Sequence, residues 1–242
     1  MRVTKDDIKQ FHQEGYFVLE SIMAEQELTQ LRIECQKSLD LQVASMETVG
    51  AETLGLSHKE KRYSLPCRHE ESPCLERFLF GDLMNEIVRS VLGRDAYLFL
   101  ELFVVKWPRT GLPFAWHQDS GYLLGNPHKP YVSLWCALDD MTEENGALYV
   151  LPYSRAGSKE VVEHKKDKKV NDLVGYQGDE PGIALPVPSG SIIVLSSTTF
   201  HCSVPISQTS PVGPFSHHIR LNQSLTETAG YGTRPYLLSR LG

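Results

Sequence analysis

The sequence predicts a mainly β fold, a sandwich or a closed barrel, preceded by a helical N-terminal flank. From residue 96 onward, short runs rich in β-branched, aromatic and leucine residues are separated by glycine, proline, asparagine or aspartate, which is the pattern of an all-β core. Before that point, the apolar residues recur at helical spacing. Strands and long helices do not alternate along the chain, so a parallel βαβ sheet is not expected.

The N-terminal flank predicts three helices, one short strand and a stretch without a clear period. We expect the helices over residues 4–14, 24–41 and 80–92, the strand over 16–19, and loops over 45–75. Thr4 followed by Asp7 is a capping-box-like start for the first helix. Gly15 and Gly93 follow the first and third helices, where a left-handed C-cap glycine is common. The first 95 residues therefore predict a mostly helical layer.

The remainder of the chain predicts the β core. We expect strands over residues 97–105, 131–138, 147–151, 191–196 and 218–225. A polar, lysine-rich stretch interrupts this pattern, and it is either a solvated loop or a lid over a pocket. The whole chain is expected to form a single domain over 1–242, with a helical flank over about 1–95, a core over about 96–226, and an inserted loop or lid over 155–182.

Composition excludes several classes of partner. The 242 residues carry a net charge of −6 at pH 7, which argues against a general nucleic-acid surface and gives no support to binding of anionic membranes. The five cysteines have irregular spacing and form no C-x-x-C pair, so free thiols are expected. The first residues lack an apolar signal-peptide segment, and no apolar run approaches the roughly 18 residues of a membrane span. We therefore expect a cytoplasmic protein.

The most informative pattern is formed by His117 and Asp119. They lie two residues apart, so on an extended strand both side chains point to the same face. Each residue alone is more often a surface or hydrogen-bonded residue, but these two follow the apolar Phe114–Trp116, and the distant His201 follows the apolar Ile192–Leu195. Polar residues within core-type sequence need hydrogen-bond partners or a metal. If His201 is the third ligand, the set is the 2-His-1-carboxylate triad of non-haem Fe(II) enzymes.

Four blocks of the chain resemble the phytanoyl-CoA dioxygenase family of 2-oxoglutarate-dependent oxygenases. The blocks are EGYFVL at 14–19, KWPRTGLPFAWHQDSGY at 106–122, SLWCALDD at 133–140 leading to NGALYVLPYS at 145–154, and PSGSIIVL at 188–195 followed by HCS at 201–203. The resemblance covers nearly the whole chain and keeps the order of the motifs. It is therefore more specific than any single triplet.

The resemblance implies a double-stranded β-helix core, of the jelly-roll or cupin-like type, with a complete iron site. By this resemblance, His117, Asp119 and His201 would hold Fe(II), with 2-oxoglutarate as cosubstrate and O2 as oxidant. The far carboxylate of 2-oxoglutarate needs a fixed cation, and Arg220 matches the arginine of the family. The other matches to family positions around the cosubstrate are Ser203, Trp135, Gln118 and Lys106.

The spacing after the distal histidine departs from the family. The gap between His201 and Arg220 is longer than the resemblance leads us to expect, and residues 207–216 are rich in turn formers, which predicts an inserted loop. Arg234 is a weaker alternative anchor, because it precedes a proline. Three plain alternatives stay open: a surface ion pair for Arg220, a core residue for Trp135 and a solvated strand end for Lys106.

The resemblance also implies a reaction. It predicts hydroxylation of a C–H bond of a small-molecule substrate, with release of succinate and CO2. Related halogenases have a small residue at the position of Asp119, so the aspartate favours hydroxylation, or a related desaturation, over halogenation. Two alternatives stay open: a catalytically silent 2-oxoglutarate-binding module, and a cupin-like metal enzyme that does not use 2-oxoglutarate. The substrate, its linkage to CoA and the oligomeric state stay open, and neither a nucleic acid nor a membrane is expected as a partner.

Overall fold

The computed structural model describes residues 2–66, 69–93, 96–123, 131–204 and 216–224. In these residues the helices are α1 (Lys5–Glu14), α2 (Glu25–Val49), α3 (Pro73–Leu79), α4 (Asp82–Leu92) and the short α5 (Tyr153–Ala156). The strands are β1 (Tyr16–Leu19), β2 (Thr53–Leu54), β3 (Ser57–His58), β4 (Arg62–Pro66), β5 (Tyr97–Lys106), β6 (Phe114–His117), β7 (Tyr131–Ala137), β8 (Leu148–Leu151), β9 (Lys165–Lys166), β10 (Leu173–Val174), β11 (Ile183–Leu185), β12 (Ile192–Ser196), β13 (Phe200–Ser203) and β14 (Ser216–Ser224).

The capping residues of the flank explain where its first two helices begin and end. At the start of α1, the Thr4 side chain accepts a hydrogen bond from the Asp7 backbone N–H, and the Asp7 carboxylate accepts one from the Thr4 N–H. This is the capping box that the sequence predicts. Helix α2 continues eight residues beyond its predicted end, because Met46 extends its buried stripe and the left-handed cap comes only at Gly50. No helix in the described ranges is both long and apolar enough to cross a membrane.

The stretch over 45–75, predicted as loops, instead contains the end of α2, three short strands and the start of α3. Strand β4 lacks a readable alternation because a charged residue, Arg62, is buried in it beside Tyr63. Helix α3 is one of the shorter helices, and its signals are the Ser72 N-cap and Pro73 at the first helical position. The predicted 80–92 helix begins at Asp82, because Phe80 belongs to the end of α3.

The core strands form two facing antiparallel sheets. The larger has eight strands in the order β1-β12-β7-β14-β5-β4-β3-β2, and the smaller has four in the order β11-β8-β13-β6. The predicted core strands lie within one or two residues of β5, β7, β8, β12 and β14. Two antiparallel sheets packed face to face make the jelly-roll architecture of the double-stranded β-helix. The predicted mainly β fold with N-terminal helices is confirmed.

Alternate residues of the large sheet face two different apolar clusters. In β12, Ile192 and Val194 pack in the cluster under the helices, whereas Ile193 and Leu195 pack in the cluster between the sheets. The central strand β7 divides in the same way, as the two-residue period of a strand requires. The large sheet is therefore buried on both faces, with the helices on its outer face and the small sheet on its inner face.

Candidate metal centre

The two small-sheet strands β6 and β13 bring the candidate histidines together. Strand β6 ends at His117, strand β13 contains His201, and the two residues are direct cross-strand partners with ring centroids 4.2 Å apart. Asp119 lies beyond the end of β6, at the start of a 3-10 turn that covers Asp119–Tyr122. Asp119 is therefore not on the strand of His117, and the prediction that the two side chains share one strand face is wrong. The turn nevertheless returns the carboxylate to the histidines.

The backbone sets the orientation and tautomer of both imidazoles. Nδ1 of His117 bonds to the Ala115 carbonyl at 2.7 Å, and Nδ1 of His201 bonds to the Thr199 carbonyl at 3.0 Å. A carbonyl oxygen only accepts hydrogen bonds, so each Nδ1 carries a proton, and in the neutral ring each Nε2 presents a lone pair. Each Nε2 can therefore offer its lone pair to a metal ion.

The carboxylate of Asp119 completes this arrangement. Its Oδ1 lies 3.7 Å from Nε2 of His117 and 3.6 Å from Nε2 of His201, which is too long for hydrogen bonds. Its Oδ2 accepts a hydrogen bond from the Ser133 hydroxyl. One carboxylate oxygen therefore faces the histidines, and the other is held by the serine. Such outer partners orient metal ligands in known sites.

The donor set fits a divalent transition metal. The three ligand atoms lie within 4.8 Å of one another, and the residues that carry them are buried. Nε2 of His117 is buried and has no hydrogen-bond partner within the described part of the chain, and such an atom is costly unless something binds it. Two imidazole nitrogens and one carboxylate oxygen on one side of a space are the ligands of the facial triad, which leaves further coordination positions open.

A cavity of about 250 Å³ lies beside this cluster, between the two sheets. Both histidines reach its wall, and the rest of the lining is mostly apolar. The residues that give it this character are Leu100, Leu102, Val104, Phe114, Leu148 and Trp135. An apolar wall excludes water from the neighbourhood of the ligands, which strengthens the electrostatic interactions there.

The predicted cosubstrate residues Ser203 and Trp135 both line this cavity. A register shift in β13 after His201 brings Ser203 opposite Phe114, whose backbone N–H donates to the Ser203 hydroxyl oxygen at 3.2 Å. The backbone of Arg220 lies in β14, paired with Trp135 on one side and with Leu102 on the other. Both partners of Arg220 therefore line the cavity. The alternative anchor, Arg234, lies outside the described residues.

Lys106 lies at the end of β5 and is completely buried, so it is not the solvated strand end of the plain alternative. Its Nζ donates to the Val204 carbonyl at 2.6 Å and packs against Gly146, where a side chain would collide with it. Removal of the ammonium group from water lowers the pKa of Lys106 to about 7, and the nearby Arg62 guanidinium acts in the same direction. The amine can therefore exist without charge near neutral pH.

The side chain of Gln118 bonds to backbone on two segments. Its Nε2 donates to the carbonyls of Glu160 and Thr198, at 2.8 and 2.7 Å, and its Oε1 accepts from the N–H of Val162 at 2.8 Å. Gln118 is absent from the described lining of the cavity. The amide therefore ties the 155–182 segment to the residues beside the candidate ligands. Its predicted role toward the cosubstrate stays a prediction.

Sequence reasoning did not assign roles to two residues around the site. Ser133 bonds to Asp119 from the middle of β7, where its hydroxyl is fully buried in an apolar strand. A serine between apolar residues of a predicted strand was the available signal. Asp172 bonds to the backbone of Ala115, and it had no signal, because it belongs to a stretch that reads as a charged surface loop.

Comparison with known proteins gives the family and the fold. The family profile described as phytanoyl-CoA dioxygenase (PhyH) matches residues 11–210. The rice protein "Phytanoyl-CoA dioxygenase 1" is 25% identical over 181 residues, and the alignment covers 72% of this chain and 60% of the rice protein. This chain thus spans less than two thirds of that relative's length.

Two solved structures share the fold over most of their length. The "non-heme alpha ketoglutarate dependent carbocyclase SnoK from nogalamycin biosynthesis" superposes with a TM-score of 0.69 at 19% identity, covering 92% of this chain and 84% of that one. EvdO2 from Micromonospora carbonacea, "complexed with 2-oxoglutarate", has a TM-score of 0.69 at 21% identity, covering 97% and 95%. The resemblance first carried by the sequence motifs is confirmed: this chain belongs to the phytanoyl-CoA dioxygenase family.

Proposed function

We propose that this protein is a non-haem Fe(II)- and 2-oxoglutarate-dependent oxygenase that hydroxylates a C–H bond of a small-molecule substrate. One observation carries the proposal: Nε2 of His117, Nε2 of His201 and Oδ1 of Asp119 converge beside an apolar cavity. Family membership supports it, and both solved neighbours named above are described with 2-oxoglutarate or its synonym alpha ketoglutarate. Succinate and CO2 are the expected coproducts.

In this proposal the three converging residues hold the iron. The carbonyls of Ala115 and Thr199 keep the rings of His117 and His201 in the metal-binding tautomer, and Ser133 fixes the Asp119 carboxylate. When bound, Fe(II) with 2-oxoglutarate supplies the activation of O2 that side chains alone do not provide. The task of the protein is to position the substrate and to exclude water.

The cosubstrate would lie against β7, β13 and β14. Trp135 and Ser203 offer an apolar surface and a hydroxyl on the cavity wall, and Arg220 is the proposed partner of the far carboxylate, for which the fork of a guanidinium is well shaped. The backbone register of Arg220 beside Trp135 and Leu102 supports this assignment. The proposed position of Lys106 is at the end of β5, facing the cosubstrate, and the proposed position of Gln118 is beside the cosubstrate next to the metal ligands.

The presence of Asp119 favours hydroxylation, or a related desaturation, over halogenation. A carboxylate ligand occupies the position that a halide would otherwise take. A carbocyclase shares the fold, so the fold alone does not select the reaction. The mostly apolar lining favours a substrate that presents a hydrocarbon portion to the metal.

The test is anaerobic loading of the purified protein with Fe(II) and 2-oxoglutarate, followed by addition of O2 and a panel of small molecules. Succinate should form only when iron, 2-oxoglutarate and O2 are all present, and the consumed substrate should gain one oxygen atom by mass spectrometry. His201→Ala and Asp119→Ala should abolish succinate formation. His12→Ala, which changes an exposed histidine on α1, should leave it unchanged.

The same experiment separates the two alternatives. Tight binding of 2-oxoglutarate without turnover of any compound in a broad panel would favour a silent binding module. Substrate conversion that does not need 2-oxoglutarate would favour a cupin-like metal enzyme. Activity that survives Arg220→Ala, with an unchanged requirement for 2-oxoglutarate, would remove Arg220 from the proposed site.

A further inference from the structure

We propose that Asp172 is a positioning residue for the metal ligand His117, acting through the backbone of Ala115. The inference rests on the proposed function, because it assumes that His117 binds a metal. Asp172 lies in the 155–182 segment, which the sequence predicts as a surface loop or a lid. The structure gives this residue a buried position instead, 1% exposed, against the strand that carries the histidine.

The first step is the bond to Ala115. Oδ2 of Asp172 accepts a hydrogen bond from the Ala115 N–H at 3.1 Å. The carbonyl of the same alanine accepts the bond from Nδ1 of His117 at 2.7 Å. One residue is thus fixed through its N–H by Asp172 and orients the imidazole through its C=O. A shift of Ala115 would therefore turn the His117 ring.

The second step is the ion pair that fixes Asp172. Arg62 donates from Nη2 to Oδ1 at 2.6 Å and from Nη1 to Oδ2 at 3.1 Å, which is the bidentate geometry of a strong pair. The Arg62 side chain is completely buried, and that of Asp172 is 2% exposed. Because neither group has water as a substitute partner, the carboxylate has very little freedom to move.

The third step is that the same guanidinium contacts the residues just before Ala115. Arg62 bonds to the Pro113 carbonyl and lies 3.8 Å from the ring centre of Phe114. Arg62 and Asp172 together contact three consecutive residues at the start of β6. A buried guanidinium needs acceptors for its N–H groups, and here one of these acceptors, the Pro113 carbonyl, lies in the segment that leads into the strand of His117.

The 155–182 segment adds a further bond to the same strand. The Gly175 N–H donates to the Trp116 carbonyl at 2.8 Å. The segment therefore bonds to both residues between Phe114 and His117, to Ala115 through the Asp172 carboxylate and to Trp116 through the Gly175 N–H. The contacts favour a fixed support for the ligand strand over a lid that opens and closes.

The test compares two double variants that both lack the ion pair. R62M/D172L removes the acceptor for the Ala115 N–H, whereas R62M/D172N retains a carbonyl oxygen of similar placement. The metal-free protein would be titrated with Co(II), and the dissociation constant and the visible d–d spectrum would be recorded. We expect R62M/D172L to bind Co(II) about 10- to 100-fold more weakly than wild type, with an altered spectrum, and R62M/D172N to recover much of the affinity.

Equal Co(II) affinities and spectra for the two double variants would overturn the proposal, because the hydrogen bond to Ala115 would then have no effect on the ligand. D179A, which removes an exposed carboxylate from the same segment, is the control and should match wild type. His201→Ala must lose Co(II) binding; if it does not, the proposed metal site itself fails, and this failure is distinct from that of the positioning role.

A measurement on unaltered protein covers the case in which the variants do not fold. Native-state hydrogen exchange should show the Ala115 amide protected as strongly as the amides of β13. Exchange of the Ala115 amide as fast as that of exposed loop amides would contradict a fixed bond to Asp172 and overturn the proposal.

Discussion

The orientation of each candidate ligand is fixed by a group that does not itself face the cavity. Both imidazoles are set by backbone carbonyls two residues earlier in the chain, those of Ala115 and Thr199, and the carboxylate of Asp119 is set by a serine on a different sheet. This arrangement keeps the ligand atoms in place without a metal. Little reorganisation is then required when the ion binds.

The buried amine of Lys106 should make stability depend on pH. Burial lowers its pKa to about 7, whereas in the unfolded chain the amine titrates near 10.4. Between about pH 7 and 10 the unfolded chain therefore binds a proton that the native state has released, so the free energy of unfolding rises with pH across this window. The rise is at most roughly 1.4 kcal/mol per pH unit. Below about pH 7 both states hold the proton, so the pH dependence disappears and the cost of burying the charged amine is fully present.

Urea unfolding of wild type and Lys106→Met at several pH values between about 6 and 10 measures this contribution. The stability of wild type relative to the variant should increase as the pH is raised. Lys165→Met, which removes an exposed lysine, should run parallel to wild type. Parallel curves for Lys106→Met as well would show that the amine keeps its ordinary pKa.

At the level of elements, the strands with a regular apolar pattern were the ones that could be predicted from the sequence. The apolar runs of β7 and β12 were readable because nearly all of their residues are buried. Asp119 was assigned to the right cluster but to the wrong element, since nothing in the sequence shows that β6 ends at His117 and a 3-10 turn begins. Asp172 was unreadable, because its partner Arg62 is more than a hundred residues away and both resemble surface charges.

Gln118 provides a test of how firmly the 155–182 segment is attached. Gln118→Ala removes three hydrogen bonds to Glu160, Val162 and Thr198, so the attached stretch should open more often. The five lysines of this segment make trypsin a suitable probe. Cleavage within residues 159–169 should be several-fold faster in the variant than in wild type.

The control for this experiment is Gln177→Ala, which changes an exposed glutamine in the same segment. It should be cleaved at the wild-type rate. If Gln118→Ala is also cleaved at the wild-type rate, the amide bonds do not determine the attachment of the segment.

At the level of the whole molecule, the proposed site is built from both sheets. The small sheet supplies His117 and His201, while Ser133, Trp135 and the backbone position of Arg220 belong to the large sheet. The site therefore exists only when the two sheets are packed together. That the chain forms one domain over 1–242 stays a prediction.

Ligands that bridge the sheets should raise the thermal stability of the protein. In the absence of O2, Co(II) and 2-oxoglutarate, each at about 100 times its dissociation constant, should each add about 2.7 kcal/mol to the free energy of unfolding, or about 5.4 kcal/mol together. For a chain of this size the combined effect corresponds to roughly 10–20 °C in Tm. Calorimetric melting would measure the shift, and His201→Ala should lose it while His12→Ala keeps it. An equal shift in His201→Ala would mean that the ligands bind elsewhere.

The pairing of His117 with His201 across β6 and β13 has a consequence for how the protein matures. Side chains alternate along a strand, so a slip of one residue between β6 and β13 would turn one of the two rings away from the other. The chain between them must also close a long loop before they meet. Iron uptake would therefore come late in biogenesis and would depend on correct pairing, so that a mispaired chain would be left without its cofactor.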